Sequence, residues 1–141
     1  MSRECKVLIV DDSDEDVLLL KRGLSRFPHM KVVWRAKDGA EAIGYLGGSG
    51  DYSDREKHPW PDLVLLDLKM PNVDGFEVLE WARGKRPRPL IGVLTSSNNP
   101  ADLRRAQELG ADMLEMKEFG DGVIDRYLHF LDNLAVQRRM L

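Results

Sequence analysis

Short apolar runs alternate along the chain with longer amphipathic segments, and five such pairs follow one another. The short runs are typical of buried strands, whereas the longer segments repeat apolar residues at the three- and four-residue spacing of helices. The predicted strands cover residues 7–10, 32–34, 63–67, 90–95 and 112–116. The predicted helices cover residues 13–26, 39–46, 76–83, 100–109 and 121–138.

This alternation predicts an α/β fold, in which a parallel sheet carries helices on both faces. Residues 7–10, 63–66 and 90–94 are continuously apolar, as expected of central strands that are buried on both faces. Residues 112–116 alternate between apolar and polar and include Glu115, which favours an edge strand.

The ends of two predicted helices carry clear boundary signals. Ser13 or Asp14 can cap the first helix, since a short polar side chain accepts a hydrogen bond from the free backbone N–H groups. Pro100 suits the first turn of the fourth helix, and Gly110 suits its end. Between the second helix and the third strand, residues 47–61 are polar and rich in glycine, and they predict a long exposed loop.

Composition limits the class of protein. The chain has 141 residues, of which 43% are hydrophobic and 32% charged, as in ordinary globular domains, and we expect a single domain. No apolar run approaches the ~20 residues of a membrane span, so we expect no membrane association. The lone Cys5 excludes an intrachain disulfide and agrees with a cytoplasmic location. The net charge of -3 gives no general attraction for nucleic acid.

Polar side chains stand at the predicted ends of four strands. Ligands of open parallel sheets bind beyond the carboxyl ends of the strands, so these side chains are expected to meet at one edge. They are Asp11, Asp12, Asp67, Thr95 and Lys117. Neighbouring carboxylates repel one another unless a cation compensates, and oxygen ligands of this kind suit Mg²⁺. A lysine and a hydroxyl can hold phosphoryl oxygens, and an aspartate can act as a nucleophile.

Four separated motifs now point to one family. VLIVDDSDED, LVLLDLKMPNVDGFEVL, VLTSS and GADMLEMK follow one another in that order, and each lies at the end of a predicted strand. Together they resemble the receiver domain of two-component response regulators over essentially the whole chain. The resemblance implies a flavodoxin-like receiver fold, a five-stranded parallel sheet in the order 2-1-3-4-5.

The resemblance also implies the reacting group and the metal ligands. Asp67 would accept a phosphoryl group from a phosphohistidine of a sensor histidine kinase or from a phosphotransfer protein. Asp12, Asp67 and the backbone carbonyl of Lys69 would bind Mg²⁺ directly, and Asp11 would act through a metal-bound water. The receiver would promote only its own phosphorylation and dephosphorylation, so the chain is not expected to be an enzyme in the usual sense.

The same resemblance assigns the switch and the loop after Asp67. Thr95, rather than Ser96 or Ser97, matches the switch hydroxyl, and Lys117 matches the lysine that pairs with the phosphoryl group. Lys69 and Ser97 occupy positions that tune the lifetime of the acyl phosphate. Residues Pro71 and Gly75 would shape the loop, and Asp74 would cap the next helix.

Three features depart from the usual receiver pattern. Glu118 follows the lysine where receivers usually have proline, and Leu114 stands where many have a switch tyrosine or phenylalanine. The long segment 47–61 is the third. We expect residues 1–141 to form one receiver without an output domain. With the long segment 47–61, the chain resembles the stand-alone regulators that are paired with bacterial phytochromes.

Two alternatives to a phosphorylated receiver remain. Leu114 and Glu118 favour a degenerate pseudo-receiver that acts as a phosphorylation-independent interaction module, whereas the complete set of five strand-end residues opposes it. A phosphohydrolase is the other alternative, although a general acid is not evident.

The acidic run after the first strand allows one further test. Asp12, Asp14 and Asp16 have the spacing of an EF-hand loop, but Val17 and Gly23 stand where that loop needs glycine and glutamate. An EF-hand is therefore excluded. We expect Asp14, Glu15 and Asp16 mainly to face solvent at the start of a helix.

The last predicted helix carries a wide apolar stripe. Its apolar residues are Val123, Ile124, Tyr127, Leu128, Phe130, Leu131 and Leu134. One side of the helix must cover the sheet, and a stripe of this width leaves apolar surface over. We therefore expect a homodimer through the C-terminal helix and the region of the fifth strand.

Overall fold

Strands and helices alternate along the chain in the computed structural model, which describes residues 4–120 and 122–140, without the side chains of 139 and 140. The strands are β1 (Cys5–Val10), β2 (Met30–Ala36), β3 (Leu63–Leu66), β4 (Leu90–Thr95) and β5 (Met113–Met116). The helices are α1 (Asp14–Leu24), α2 (Gly39–Gly47), α3 (Gly75–Ala82), α4 (Pro100–Glu108) and α5 (Val123–Met140), with a short 3₁₀ turn at Gly50–Tyr52.

The five strands form one parallel sheet in the order β2-β1-β3-β4-β5, which confirms the predicted fold class and strand order. As predicted, β1, β3 and β4 are central and β5 lies at an edge. Every predicted strand and helix is present with small shifts of its ends, although the predicted helix start at residue 121 lies outside the described residues.

Two apolar layers pack against the two faces of the sheet. Side chains of a strand alternate between faces, so Leu8 and Val10 contribute to one layer whereas Val7 and Ile9 contribute to the other. Helices α2, α3 and α4 cover the first layer, and α1 and α5 cover the second. This explains why the central strands are apolar at every position: neither of their faces meets water.

Side-chain caps fix the helix starts beside the carboxyl ends of the strands. The Ser13 hydroxyl accepts a hydrogen bond from the backbone N–H of Asp16 (3.2 Å), which confirms Ser13 as the cap of α1. The Asp74 carboxylate accepts one from the backbone N–H of Glu77 (3.1 Å), as predicted. Because α1 and α3 begin just after β1 and β3, these caps hold the loops that carry the candidate site.

The segment 47–61 is largely exposed, as its composition predicts, but several of its residues also pack against the rest of the fold. The Arg55 guanidinium donates to the carbonyl oxygens of Tyr45 (2.8 Å), Leu46 (3.0 Å) and His58 (3.1 Å), and therefore ties the segment to the end of α2. The rings of Trp34, Tyr45, Tyr52 and His58 pack edge to face or stacked, with centroids 4.9–6.1 Å apart. The sequence did not indicate this packing, because these aromatic residues are scattered along it and meet only in the fold.

Within the described residues, the helices are all too short or too polar to cross a membrane.

Candidate functional site

Three carboxylates meet where β1 and β3 end, as the sequence predicts. Asp11 and Asp12 directly follow β1, and Asp67 directly follows β3. One oxygen from each carboxylate lies within 4.8 Å of the others, Asp11 and Asp67 being buried and Asp12 exposed. The Asp67 backbone is fixed by a hydrogen bond from its N–H to the carbonyl of Val10 (2.9 Å), so the ends of the two strands are held side by side.

The ammonium of Lys117, the residue after β5, balances these negative charges. Its Nζ lies 2.8 Å from Asp11 Oδ2, 2.9 Å from Asp16 Oδ2 and 3.1 Å from Asp67 Oδ2, and only 7% of its side chain is exposed. Burial alone would lower the pKa of Lys117, but the hydrogen bonds to Asp11 and Asp16 and the charge of Asp67 outweigh it and raise the pKa. The lysine is therefore firmly charged inside the site.

Asp67 is the carboxyl group whose protonation the site perturbs most. Burial raises the pKa of Asp67 from 3.8 to about 6, with the charge of Lys117 opposing the rise and that of Asp11 adding to it. Its Oδ2 atom faces Lys117, whereas Oδ1 is buried and makes no hydrogen bond of standard geometry among the described residues, although the nearby backbone N–H of Lys69 also opposes the rise in pKa. An unsatisfied buried carboxylate oxygen is costly and is the kind of atom that a bound cation satisfies.

Gly75 allows the loop after Asp67 to close against the strand. A Cβ atom at Gly75 would lie 2.3 Å from the carbonyl oxygen of Asp67, far inside contact distance. The Gly75 N–H donates to the carbonyl of Leu68 (2.9 Å), which keeps the two segments together. The predicted role of Gly75 in shaping this loop therefore has a steric cause.

Thr95 lies buried at the end of β4, next to the strand that leads to Lys117. Its carbonyl accepts the backbone N–H of Lys117 (2.8 Å), so the two residues are joined through the backbone. Its hydroxyl oxygen accepts the backbone N–H of Ser97 (3.0 Å). The structure thus brings Thr95 to the predicted edge of the sheet, where its hydroxyl is hydrogen-bonded to the loop that follows β4.

Lys69 and Ser97 are linked through Asp102, a residue of α4 that the sequence did not single out. The Ser97 hydroxyl donates to Asp102 Oδ2 (2.7 Å), and Lys69 Nζ lies 3.3 Å from the same oxygen. These contacts lower the pKa of Asp102, the hydrogen bond from Ser97 being the largest cause. The side chain of Lys69 is therefore directed towards α4.

The predicted solvent-facing role of the acidic helix start was wrong for Asp16. Its carboxylate binds Lys117, and only 27% of the side chain is exposed, whereas Glu15 is exposed. Asp14 remains 88% exposed although it pairs with Arg35 (2.8 Å). The signal was available in the spacing, because Asp16 stands four residues before the buried Leu20 and therefore on the sheet-facing side of α1.

Two of the three departures from the receiver pattern, Leu114 and Glu118, are accommodated locally. Leu114 is half-buried and packs against the layer covered by α2, α3 and α4. The backbone N–H of Glu118 donates to the carbonyl of Met116 (2.9 Å), a hydrogen bond that a proline at this position could not donate. Lys117 reaches the carboxylates with this different loop.

Comparison with known proteins identifies the family. Residues 7–129 match the response regulator receiver domain family. The chain belongs to this family. It is also 36% identical over 107 residues to the response regulator Rcp1 of Synechocystis, a match that covers 73% of this chain and 69% of that protein.

Solved structures of receivers have the same fold. The phosphorylated cyanobacterial phytochrome response regulator RcpA superposes with a TM-score of 0.82 at 26% identity, covering 94% of each chain. The Mn²⁺-bound form of Rcp1 superposes with a TM-score of 0.78 at 27% identity, covering 91% of each chain. The order of strands and the positions of their carboxyl ends are thus those of a receiver of two-component signalling.

Other relatives are much longer proteins. The chain spans only 28–34% of the length of the first curated relatives that it matches, which are protein-glutamate methylesterases. One of them, from Caulobacter vibrioides, is 37% identical over 107 residues, a match that covers 75% of this chain and 28% of that protein. The shared region is therefore a receiver-sized part of those enzymes.

The donor atoms at the site suit a hard divalent cation. Three carboxylates supply oxygen ligands only, as Mg²⁺ and Mn²⁺ prefer, and the buried Oδ1 of Asp67 makes no hydrogen bond of standard geometry in the described chain. The acidic cluster predicted from the sequence therefore fits such an ion by its chemistry.

Proposed function

We propose that this protein is a phosphorylated receiver in which Asp67 accepts the phosphoryl group. The observation that carries this proposal is the setting of Asp67, a buried carboxylate with Lys117 Nζ at 3.1 Å and two further carboxylates beside it. The donor would be a phosphohistidine of a sensor histidine kinase or of a phosphotransfer protein.

The residues of the site suit each part of the transfer. A carboxylate oxygen of Asp67 attacks the phosphorus atom, the new O–P bond forms, and the P–N bond to the donor histidine breaks with its electron pair returning to the imidazole. The pKa of Asp67, about 6, leaves the carboxylate ionised at neutral pH and ready to attack. The Lys117 ammonium then lies where negative charge builds up on the phosphoryl oxygens.

Magnesium is the proposed cofactor. Asp12, Asp67 and the backbone carbonyl of Lys69 would hold it, with Asp11 acting through a water. When bound, the ion supplies charge neutralisation for the transferring phosphoryl group. The buried Oδ1 of Asp67 and the Mn²⁺-bound form of the related Rcp1 support this assignment.

Thr95 is the proposed switch. Phosphorylation adds a charge of about -1.5 to -2 at Asp67, and the hydroxyl of Thr95, at the end of the neighbouring strand, would turn towards it. To do so Thr95 would exchange its hydrogen bond from Ser97 for one to the phosphoryl group. Because Ser97 also binds Asp102 at the start of α4, this exchange would alter the packing of α4 and change the surface offered to partners.

The proposed setting is a cytoplasmic two-component pathway in which the chain acts as a receiver. The likeness to RcpA and to a bacteriophytochrome response regulator, at TM-scores of 0.82 and 0.71, supports a kinase of the phytochrome type as the donor. In this role the protein would promote only its own phosphorylation and dephosphorylation and would turn over no other substrate.

A homodimer through α5 and β5 remains part of the proposal. Phe130 and Val136 of α5 are 58% and 42% exposed, although the opposite side of the helix is buried on the sheet. The edge strand β5 beside it is half-buried along its length. Light scattering with and without an acyl phosphate tests this, and a monomer in both states would dismiss the dimer.

Labelling with a small acyl phosphate tests the proposed function. In the presence of Mg²⁺ and acetyl phosphate, the wild type should gain one base-labile phosphate on Asp67. Asp67→Asn should gain none, whereas the exposed control Asp51→Asn should label like the wild type. An unlabelled wild type would favour a pseudo-receiver instead, and continuous hydrolysis of phosphate esters would favour a phosphohydrolase.

A further inference from the structure

One partner of Lys117 has no part in the proposed reaction. Of the three carboxylates that bind its ammonium, Asp67 is the proposed acceptor and Asp11 is a proposed cation ligand. The third, Asp16, belongs to α1 and is not needed for either purpose. We propose that Asp16 is a positioning residue, which holds Lys117 beside Asp67 before and after phosphoryl transfer. This inference rests on the proposed function of Asp67.

Asp16 is well placed to hold the lysine because its backbone cannot easily move. Its N–H donates to the Ser13 cap, and the next residue, Val17, is buried on the sheet side of α1. The carboxylate therefore projects from the first turn of a packed helix, whereas Lys117 stands in a loop after an edge strand. The rigid helix α1 thus supports the side chain of Lys117, which belongs to a less regular loop.

The ion pair between Asp16 and Lys117 should be strong. The two side chains are 27% and 7% exposed, and the oxygen lies 2.9 Å from Nζ, the distance of a charge-assisted hydrogen bond. The ammonium has three N–H groups, and Asp11, Asp16 and Asp67 match that number. Losing one of the three would free the ammonium to turn away from Asp67.

The groups that contact the Lys117 ammonium change when Asp67 reacts. Phosphorylation converts one of the three carboxylates into an acyl phosphate, and the proposed cation competes with Lys117 for Asp11. Of the three carboxylates, Asp16 alone neither reacts nor is a proposed partner of the cation. It can therefore keep the ammonium beside the phosphoryl oxygens while the other two partners change.

The rate of phosphorylation by acetyl phosphate at saturating Mg²⁺ tests this inference. Asp16→Asn should slow the reaction about tenfold or more, since a hydrogen bond between charged groups contributes that much. Asp16→Glu, which keeps the charge, should retain more of the rate. The matched control is Glu15→Gln, which removes one charge from the same helical turn at an exposed position, and its rate should stay within about twofold of the wild type.

A double-mutant cycle with Lys117→Ala separates positioning from a general effect on the fold. If Asp16 acts through Lys117, Asp16→Asn should have almost no further effect when the lysine is already absent. An equal slowing in both backgrounds would overturn the inference, because the effect would then not pass through Lys117. An unchanged rate in Asp16→Asn would also overturn it, while labelling of the wild type on Asp67 would leave the proposed function standing.

An NMR signal gives a reading that does not depend on activity. In the metal-free protein, the ammonium of Lys117 should give a slowly exchanging ¹⁵N signal because three carboxylates bind it. Asp16→Asn should broaden or remove this signal, whereas Glu15→Gln should keep it. A signal that persists in Asp16→Asn would overturn the inference. Failure of the wild type to label on Asp67 would overturn the proposed function, and with it this inference.

Discussion

A single buried carboxyl group makes the stability of the metal-free protein depend on pH. The pKa of Asp67 is raised by burial to about 6, whereas the same group in the unfolded chain titrates near 3.8. Between these values the folded protein binds more protons than the unfolded chain. The free energy of unfolding therefore falls as pH rises through this range. Burial of the proposed acceptor carboxylate thus lowers the stability of the fold at neutral pH.

We expect Asp67→Asn to stabilise the metal-free protein at neutral pH. The amide cannot ionise, so the variant avoids a cost of up to about 3 kcal/mol that the raised pKa implies. Urea unfolding in EDTA at pH 4 and pH 7.5 measures this, and the advantage of the variant should be larger at pH 7.5. Asp51→Asn, at an exposed position, should show no such difference. The same advantage at both pH values would contradict the assigned pKa.

At the scale of elements, the close contact between α3 and the end of β3 decides the shape of the site. Gly75 begins α3 and faces the carbonyl of Asp67, with no room for a side chain. The sequence could indicate a turn here from its glycine and its aspartate cap, because these are local signals. It could not indicate that a Cβ atom at Gly75 would lie 2.3 Å from the carbonyl oxygen of Asp67, because this distance depends on how the helix packs.

Gly75→Ala should therefore disturb both the fold and the site. Overpacking of this kind typically costs about 1–3 kcal/mol, and the backbone of Asp67 should move to relieve it. Urea unfolding and Mg²⁺ titration measure the two effects. Gly120→Ala is the control, because a Cβ atom there would meet nothing within 4 Å. Equal behaviour of the two variants would contradict the steric role of Gly75.

The segment 47–61 is a second case in which the fold creates contacts that the local sequence does not indicate. Composition alone indicated a solvated loop, since glycine and charged residues dominate it. Arg55 nevertheless anchors the segment by donating to three carbonyl oxygens, two of them in the last turn of α2. An arginine in a polar sequence gives no sign of its hydrogen-bond partners, so the contacts of Arg55 could not be predicted.

Arg55→Ala should release this segment. We expect a loss of about 1–3 kcal/mol in the free energy of unfolding, because three carbonyl groups lose the guanidinium as a donor. The fluorescence of Trp34 and Trp60 should also shift, since both lie in or beside the segment. Lys57→Ala is the control at an exposed neighbouring position. Unchanged stability and fluorescence in Arg55→Ala would contradict the tying role of Arg55.

At the scale of the whole molecule, the central position of three strands was the most predictable feature, whereas the full strand order was implied by the resemblance to receivers. Continuous apolar runs identified β1, β3 and β4 as central strands, and chain topology then brought Asp11, Asp67 and the strand-end lysine to one edge. The pairing of Lys117 with Asp16 was not predictable in the same way. These residues are 101 positions apart, and their contact depends on side-chain conformations at the junction of three elements.

Binding of Mg²⁺ should stabilise the entire fold by mass action. The unfolded chain cannot assemble the three carboxylates, so the ion binds the folded state and raises the midpoint of thermal unfolding as its concentration rises. Asp12→Asn should lose most of this rise, whereas Glu15→Gln should keep it. Thermal unfolding in EDTA and in increasing Mg²⁺ measures the difference, and an equal rise in both variants would contradict the assigned ligand.

The internal ammonium of Lys117 has a consequence for how the protein tolerates changing surroundings. Because the charge that balances the acids is part of the chain itself, it cannot be washed away or diluted. A shortage of magnesium should then stop the proposed phosphoryl transfer while leaving the protein folded. Signalling would resume as soon as the ion returned, with no new protein made.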